Sequence, residues 1–178
     1  MNYIKVLCAL IFIGLFGGSH VLYAEDLSLI PMYGGVRKNS QQLSADKEFI
    51  KAAVAAEGTR GKASKRMIDK GWQAIYSGDS STAMRRFNQA WLLDNDNGEA
   101  FNGFGVLVSG AGDPVRGLSY FKTSYKLSPN DPRIVSDYGY AIALKGRTSL
   151  IAGDKKVATA ILQEAEDLFI KASALKPP

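Results

Sequence analysis

The stretch GWQAIYSGDSSTAMRRFNQAWLLDNDN, residues 71–97, is followed by a second stretch of the same outline, GVLVSGAGDPVRGLSYFKTSYKLSPND, residues 105–131. The second stretch repeats the first at a 34-residue offset, and Gly139 continues that offset. The positions that match are Gly71 with Gly105, Ala83 with Gly117, and Phe87 with Phe121. A fixed period of this size is typical of solenoids, in which each unit is a helix pair that buries its apolar face by stacking on its neighbours. The repeat therefore predicts an all-α fold and favours binding over catalysis.

A leading helix is predicted ahead of the repeats. Residues 25–43 contain Pro31 and two glycines, which break any periodicity, so this segment is predicted to be irregular. Ser44 is predicted to cap the helix, with Asp46 in its first turn, and Gly58 is predicted to stop it.

Three helix pairs are then predicted within a helical domain of residues 44–178, giving seven helices in all. Asp113-Pro114 and Asp131-Pro132 each combine a capping side chain with a first-turn proline, which is typical of a helix start. In the third unit the first helix is predicted to end at Gly146, and its partner arrives late relative to the period, which marks Arg147–Ala160 as an insertion. The three repeats cover residues of about 64–97, 98–131 and 132–177.

The 34-residue unit resembles the tetratricopeptide repeat. That family places a small residue in the first helix, an alanine, an aromatic and an alanine along the second, and then a proline. The matching residues are Gly71, Ala83, Phe87, Ala90 and Asn95; Gly105, Gly117, Phe121, Ser124 and Pro129; and Gly139, Ala165, Phe169, Ala172 and Pro177. The resemblance, which extends to exported bacterial tetratricopeptide proteins of unknown function, implies a right-handed α-solenoid of three helix pairs. The phenylalanines Phe87, Phe121 and Phe169 are expected to fill the space between units.

The resemblance also implies where a partner would bind, because the first helices of successive pairs line a concave groove in this family. A groove of this composition suits an extended peptide or a partner's helix, since aromatic residues and arginine dominate binding hot spots. The alternative is that Trp72 and Tyr76 pack against the leading helix. The groove residues implied are Lys65, Asp69, Trp72, Tyr76, Asn102, Val106, Arg133, Asp137 and Tyr140.

Residues 1–24 have the layout of a secretory signal peptide. Lys5 precedes an apolar run at residues 6–16, and Ala24 offers a small residue for cleavage. The run is too short to span a membrane; the alternative is an uncleaved amphipathic or anchor helix. Cleavage after Ala24 predicts a periplasmic or secreted protein without an integral membrane span.

Composition argues against several kinds of chemistry in the mature chain. Cys8 and His20 are the only Cys and His, and both precede the predicted cleavage point. We therefore expect no catalytic residues, no cofactor and no metal site. The formal charge of +5 falls to about +4 without Lys5, which is too small an excess to favour nucleic acid. A basic cluster, Arg60 to Lys70, is interpreted either as a solvated face or as a face for an anionic surface.

Two functions follow from these predictions. The first is an adaptor or scaffold of the bacterial cell envelope that holds a protein or peptide in the groove. The alternative is a self-assembling envelope component, a candidate homodimer, because no further helix covers the third unit and solenoids usually end in a polar cap.

Overall fold

A computed structural model describes residues 26–175 of the chain and is all-helical over that range. The predicted signal peptide and Pro177 lie outside the described residues. Within them there are seven α-helices and no strand, which confirms the all-α prediction, and none of these helices is long and apolar enough to cross a membrane. The helices are α1 (Ser40–Glu57), α2 (Arg60–Tyr76), α3 (Ser80–Leu93), α4 (Gly98–Gly110), α5 (Pro114–Leu127), α6 (Pro132–Ile151) and α7 (Lys155–Ala174).

Side-chain caps fix where the helices begin. The carboxylates of Asp79, Asp113 and Asp154 each accept a hydrogen bond from a backbone N–H in the first turn of α3, α5 and α7. Asp131 does the same at α6, and prolines occupy the first positions of α5 and α6. Since these caps satisfy N–H groups that a helix leaves unpaired, both predicted Asp-Pro starts are confirmed.

The leading helix begins earlier than predicted. Asn39, not Ser44, is its cap, and Asn39 and Gln42 bond to each other's backbone N–H in a capping box. This reciprocal pair satisfies two N–H groups at once, so residues 40–43 of the segment predicted to be irregular are helical. Gly58, at φ 86°, ends the helix as predicted.

The helices pack in three pairs, α2 with α3, α4 with α5, and α6 with α7, which are called here the first, second and third pair. Consecutive pairs meet through α3 with α4 and through α5 with α6. Contacts of α4 with both α2 and α6 place the first helices of the three pairs beside one another. The segment before α1 lies on α3, where the Asn88 side chain donates to the carbonyl oxygens of Ser28 and Ile30, both at 2.9 Å.

Glycines let the first two pairs close around a phenylalanine. Phe87 is fully buried, and a Cβ atom added to Gly71 or Gly103 would lie 2.6 or 2.5 Å from its ring. A Cβ on Gly105 would lie 2.8 Å from the buried ring of Phe121. These approaches are shorter than van der Waals contact, so only glycine fits.

The third phenylalanine does not follow the prediction. Phe169 is 39% exposed, whereas Phe87 and Phe121 are 0% and 6% exposed. Its position in the repeat matches theirs, but no helix in the described part of the chain lies over α7 on that side. A wedge residue is buried only where a following unit covers it.

Ser124, which stands where the repeat expects alanine, closes the second pair with a hydrogen bond. Its buried hydroxyl donates to the carbonyl oxygen of Gly98 at 2.7 Å. In the first pair, the buried hydroxyl of Ser64 donates to the carbonyl oxygen of Ala90 at 2.9 Å. Gly98 matches Ser64 and Ser124 matches Ala90 at the 34-residue spacing, so the two pairs make the same bond with donor and acceptor exchanged.

The predicted insertion is not a loop. The helix predicted to end at Gly146 continues to Ile151. Gly146 is a buried position inside the helix, where the absence of a side chain lets Ile161 and Leu162 of the partner helix approach closely. Helix α7 begins at Lys155, so the extra residues lengthen both arms of the third pair. The result is a hairpin of two 20-residue helices.

Candidate functional site

Helices α2, α4 and α6 carry the residues that were predicted to line a groove. At the 34-residue spacing, Lys65 of α2 matches Glu99 of α4 and Arg133 of α6. Because these three helices lie side by side, residues on equivalent turns can meet. The structure brings some of the predicted residues into contact and separates others.

Arg133 joins all three helices. Its guanidinium lies 4.7 Å from the ring centre of Trp72 on α2 and forms an ion pair with the Glu99 carboxylate on α4. A guanidinium at this distance from an aromatic face is attracted by the ring's quadrupole. The Arg133 side chain remains 42% exposed, so this contact lies at the surface rather than in the core.

Packing against Phe87 holds the Trp72 ring in place. The two rings meet edge-on, with ring centres 5.3 Å apart, and Trp72 is half-buried. Its indole Nε1 is buried without a hydrogen-bond partner among the described residues. Trp72 therefore presents a fixed aromatic face to Arg133. Tyr76 is 81% exposed, so it does not pack against α1 as the alternative required.

A buried polar contact links α4 to α6 beside Arg133. The Asn102 side chain is fully buried, and its Nδ2 donates to the Asp137 carboxylate at 2.7 Å. Burial raises the pKa of Asp137 above its usual value, and the Asn102 hydrogen bond and the Arg133 charge oppose that rise. The Asn102 Oδ1 is buried with no partner within residues 26–175. Since an unpaired buried polar atom is costly, this contact depends on the exact placement of α4 against α6.

The remaining predicted residues divide into exposed and packed groups. Tyr140 is 61% exposed on α6, and Lys65 and Asp69 form an exposed ion pair at 3.8 Å along α2, which contributes little to stability. Val106 instead packs against the apolar cluster around Phe121. The surface formed by α2, α4 and α6, called here the inner face, therefore presents Tyr76, Tyr140, Lys65, Asp69 and the Trp72–Arg133–Glu99 contact.

Glu99 belongs to this surface but is absent from the predicted groove residues. Glu99 closely follows an acidic turn that begins at Asp94, so in the sequence it is easily assigned to that turn rather than to the repeat. A signal is present nevertheless, because Glu99 stands one repeat length after Lys65 and one repeat length before Arg133. Opposite charges at matched positions of neighbouring units point to an ion pair between units.

The basic cluster on α2 is partly used by the fold. Arg60 donates to the carbonyl oxygens of Leu93 and Leu92 at 2.8 and 2.9 Å and so closes the C-terminal end of α3. Arg66 lies 3.9 Å from the Glu57 carboxylate. Arg60 thus has a structural role, whereas the exposed Arg66 pair contributes little to stability. The use of Arg60 by the fold weakens the idea of one continuous basic face.

Comparison of the whole chain with protein-family models and with curated proteins finds no match in either. The resemblance to the tetratricopeptide repeat therefore stays a prediction drawn from residue spacing. Within residues 26–175, no group of three or more His, Cys, Asp or Glu side chains is placed to hold a metal ion.

A second surface, at the end of the molecule, is apolar. Helices α6 and α7 border an open cleft of about 440 Å³. Its lining includes Phe169, which is 39% exposed, and Ile170, which is 60% exposed. This surface is called here the end face; its other lining residues are Ala143, Leu162, Ala165, Glu166 and Ser173.

Proposed function

We propose that the protein is an adaptor or scaffold that holds a peptide or protein partner on its inner face. The observation that carries the proposal is the contact of Arg133 with Trp72 and Glu99, which joins α2, α4 and α6 at a partly exposed surface. Aromatic residues and arginine at such a surface are the residue types that dominate binding energy. Tyr76 and Tyr140, at 81% and 61% exposure, would add contact area with few rotatable bonds.

The proposal includes a fold more specific than all-α. The three pairs, the 34-residue spacing and the contacts of α4 with α2 and α6 support a right-handed solenoid of three tetratricopeptide-like repeats. In such a solenoid the inner face is concave. A concave surface of three adjacent helices can accommodate an extended peptide or one helix of a partner.

The cellular setting is part of the proposal. Residues 1–24 have the pattern of a secretory signal, so we infer a periplasmic or secreted protein of the cell envelope. Without Cys8 and His20, thiol and imidazole chemistry would be missing from the exported chain, which favours recognition over an enzymatic role.

The adaptor proposal is tested by affinity capture with matched variants. Tagged protein is used to capture partners from an envelope extract, and bound proteins are quantified for the native chain, Tyr140→Ala and Tyr76→Ala. The control is Val115→Ala, because Val115 is 82% exposed but lies on α5, away from the inner face. We expect the tyrosine variants to lose a partner that the control retains. Equal capture by all four proteins would remove the inner face as the site.

A second function, self-assembly, is favoured by the end face. An apolar cleft with Phe169 and Ile170 partly exposed is the surface that a further unit would cover, and a second copy could take that place. Light scattering after size exclusion measures the mass of the native chain and of Ile170→Asp. A native dimer that becomes a monomer in the variant supports self-assembly; a native monomer at high concentration excludes it.

A further inference from the structure

The α6–α7 hairpin extends beyond the other two pairs. Helix α4 continues for five residues after Gly105, whereas α6 continues for twelve after the matching Gly139. Helix α7 likewise begins ten residues before Ala165, compared with three residues for α5 before the matching Gly117. Seven extra residues on each arm lengthen the hairpin by about 10 Å at the rise of an α-helix.

The tip of this hairpin exposes large apolar side chains. Ile151 is 77% exposed, Leu150 48% and Val157 45%. All three lie within one helical turn of the connection at residues 152–154, and none belongs to either apolar cluster of the core. They stabilise no packing that the structure shows.

The tip is also basic. Arg147, Lys155 and Lys156 are exposed there, and none of them takes part in an ion pair seen in residues 26–175. The one acidic residue between 145 and 160 is Asp154, whose carboxylate accepts a hydrogen bond from the backbone N–H of Val157. The tip therefore combines three apolar side chains with three positive charges and a single acid.

The flanking turns, and not the connections themselves, distinguish this hairpin from the other two, since residues 152–154 are Ala-Gly-Asp as well. Residues 77–79, between α2 and α3, are Ser-Gly-Asp, and residues 111–113, between α4 and α5, are Ala-Gly-Asp. Within three residues of its connection, the first hairpin exposes Tyr76 and the second exposes Val115 and Arg116. The third exposes three aliphatic side chains and two lysines over the same span. The composition of the third tip is thus not required for turning the chain.

We propose that the tip of the α6–α7 hairpin attaches the protein to the surface of an anionic phospholipid bilayer. Leucine, isoleucine and valine side chains are stabilised at the boundary between headgroups and acyl chains, and neighbouring lysines and arginines are attracted by anionic headgroups. The projection lets the tip reach that boundary before the rest of the molecule does. The attachment leaves the inner face free, so it does not depend on the proposed adaptor function.

Charge and area favour a bilayer over two other occupants. A second copy of the chain would meet the same positive charges, and three apolar side chains fall far short of the roughly 800 Å² per partner that a stable interface needs. Nucleic acid would satisfy the lysines but would leave Ile151, Leu150 and Val157 in water. Of these three occupants, only an anionic bilayer offers complementary surroundings for both groups.

The test places an environment-sensitive dye at the tip of the full-length chain. Cys8→Ser removes the one native thiol, and Ala152→Cys then allows labelling between Ile151 and Lys155. Fluorescence is recorded with vesicles of phosphatidylcholine alone and with vesicles that also contain phosphatidylglycerol. A dye at Ala55→Cys, an exposed position on α1, is the matched control and reports attachment through α1.

We expect a blue shift at the tip with the anionic vesicles, little change with the neutral ones and none at the α1 position. Lys155→Gln with Lys156→Gln should weaken binding roughly 25-fold, since each lysine near an anionic surface contributes about fivefold. The same charge change at Lys47 and Lys51 on α1 separates the effect of net charge from the effect of position. Leu150→Ser with Ile151→Ser at the tip measures the contribution of apolar contact. Circular dichroism checks that each variant folds.

Three results would overturn the proposal. One is the absence of a blue shift at the tip with anionic vesicles. Another is a shift that the tip substitutions leave unchanged, which would place attachment elsewhere. A third is a shift that appears without vesicles and grows with protein concentration, because it would identify a second copy of the chain as the occupant.

Discussion

The second and third helix pairs share one sequence pattern but differ in the fraction of their residues that is buried. Helices α4 and α5 together bury 11 of their 27 residues, whereas α6 and α7 together bury 10 of their 40. The second pair is covered on one side by α3 and on the other by α6. The third pair has a neighbour only at α5 and α4 within the described part of the chain.

The difference shows that position in the stack, rather than local pattern, decides how a repeat residue is used. Phe121 and Phe169 match in the pattern, yet one is 6% and the other 39% exposed. The exposed end of the third pair is also where the chain departs from its regular length. Substitutions at matched positions of the two pairs can therefore separate the contribution of the pattern from that of the neighbours.

The largest effect is expected from the two phenylalanines. Phe121→Ala should lower the free energy of unfolding by about 3–5 kcal/mol, because it leaves a cavity in a fully packed site. Phe169→Ala should cost clearly less, about 1–2 kcal/mol, because part of that side chain is already in water. Urea unfolding followed by circular dichroism measures both. Equal losses would mean that Phe169 is covered in solution, as a dimer through the end face would require.

The matched glycines should show a smaller contrast. Gly105→Ala places a Cβ 2.8 Å from the Phe121 ring, and this overlap should destabilise the protein by about 1–3 kcal/mol. Gly139→Ala places its Cβ 3.2 Å from the buried Cβ of Leu168 and from the ring of Phe169. These contacts are longer than the one at Gly105, and the partly exposed Phe169 ring can shift. The gain in helix propensity, about 1 kcal/mol, should offset those contacts. Thermal melts would contradict the comparison if Gly139→Ala were the more damaging change.

The smallest effect concerns the joint between the two pairs, where Asn102 meets Asp137. Burial raises the pKa of Asp137 in the folded protein above its ordinary value of 3.8. Folding is therefore favoured when this carboxyl group is protonated, at pH below 3.8, and that contribution is lost as the pH rises through the raised pKa. Asp137→Asn should stabilise the protein modestly near neutral pH and lose this advantage in acid.

Melting temperatures across the pH range check this prediction, with Asp69→Asn as the control. Asp69 is an exposed acid on the same face, so its substitution measures the effect of one lost surface charge. A stabilisation by Asp137→Asn that stays constant down to pH 3 would contradict the assignment of the shift to burial.

Much of the fold could be predicted because it depends on local signals. The Asp-Pro starts of α5 and α6 and the stop at Gly58 act through caps and backbone geometry within a few residues. The prediction that Gly146 ends a helix was wrong, because this glycine lies in close contact with α7. Only long-range packing creates that contact. The start at Ser40 depends on the Asn39–Gln42 capping box, and in the sequence that cap competes with the equally plausible Ser44.

Less of the candidate site could be predicted. The resemblance to the tetratricopeptide repeat implied that Trp72 and Arg133 lie on one groove, and the structure brings them together. Spacing alone did not reveal that Asn102 is fully buried or that Val106 packs against the apolar cluster around Phe121, because both depend on how closely α4 approaches its neighbours. The exposed fraction of a side chain is a property of the packed assembly, and the pattern of one helix does not determine it.

The most direct test of the inner face is site-specific photo-crosslinking in the native cell. A photoreactive amino acid replaces Tyr140 on α6 in one protein and Lys122, an exposed residue on α5, in another. We predict a discrete, light-dependent adduct from position 140 and none from position 122. Adducts from 122 alone, or the same adducts from both positions, would contradict the claim that the partner binds to the face formed by α2, α4 and α6.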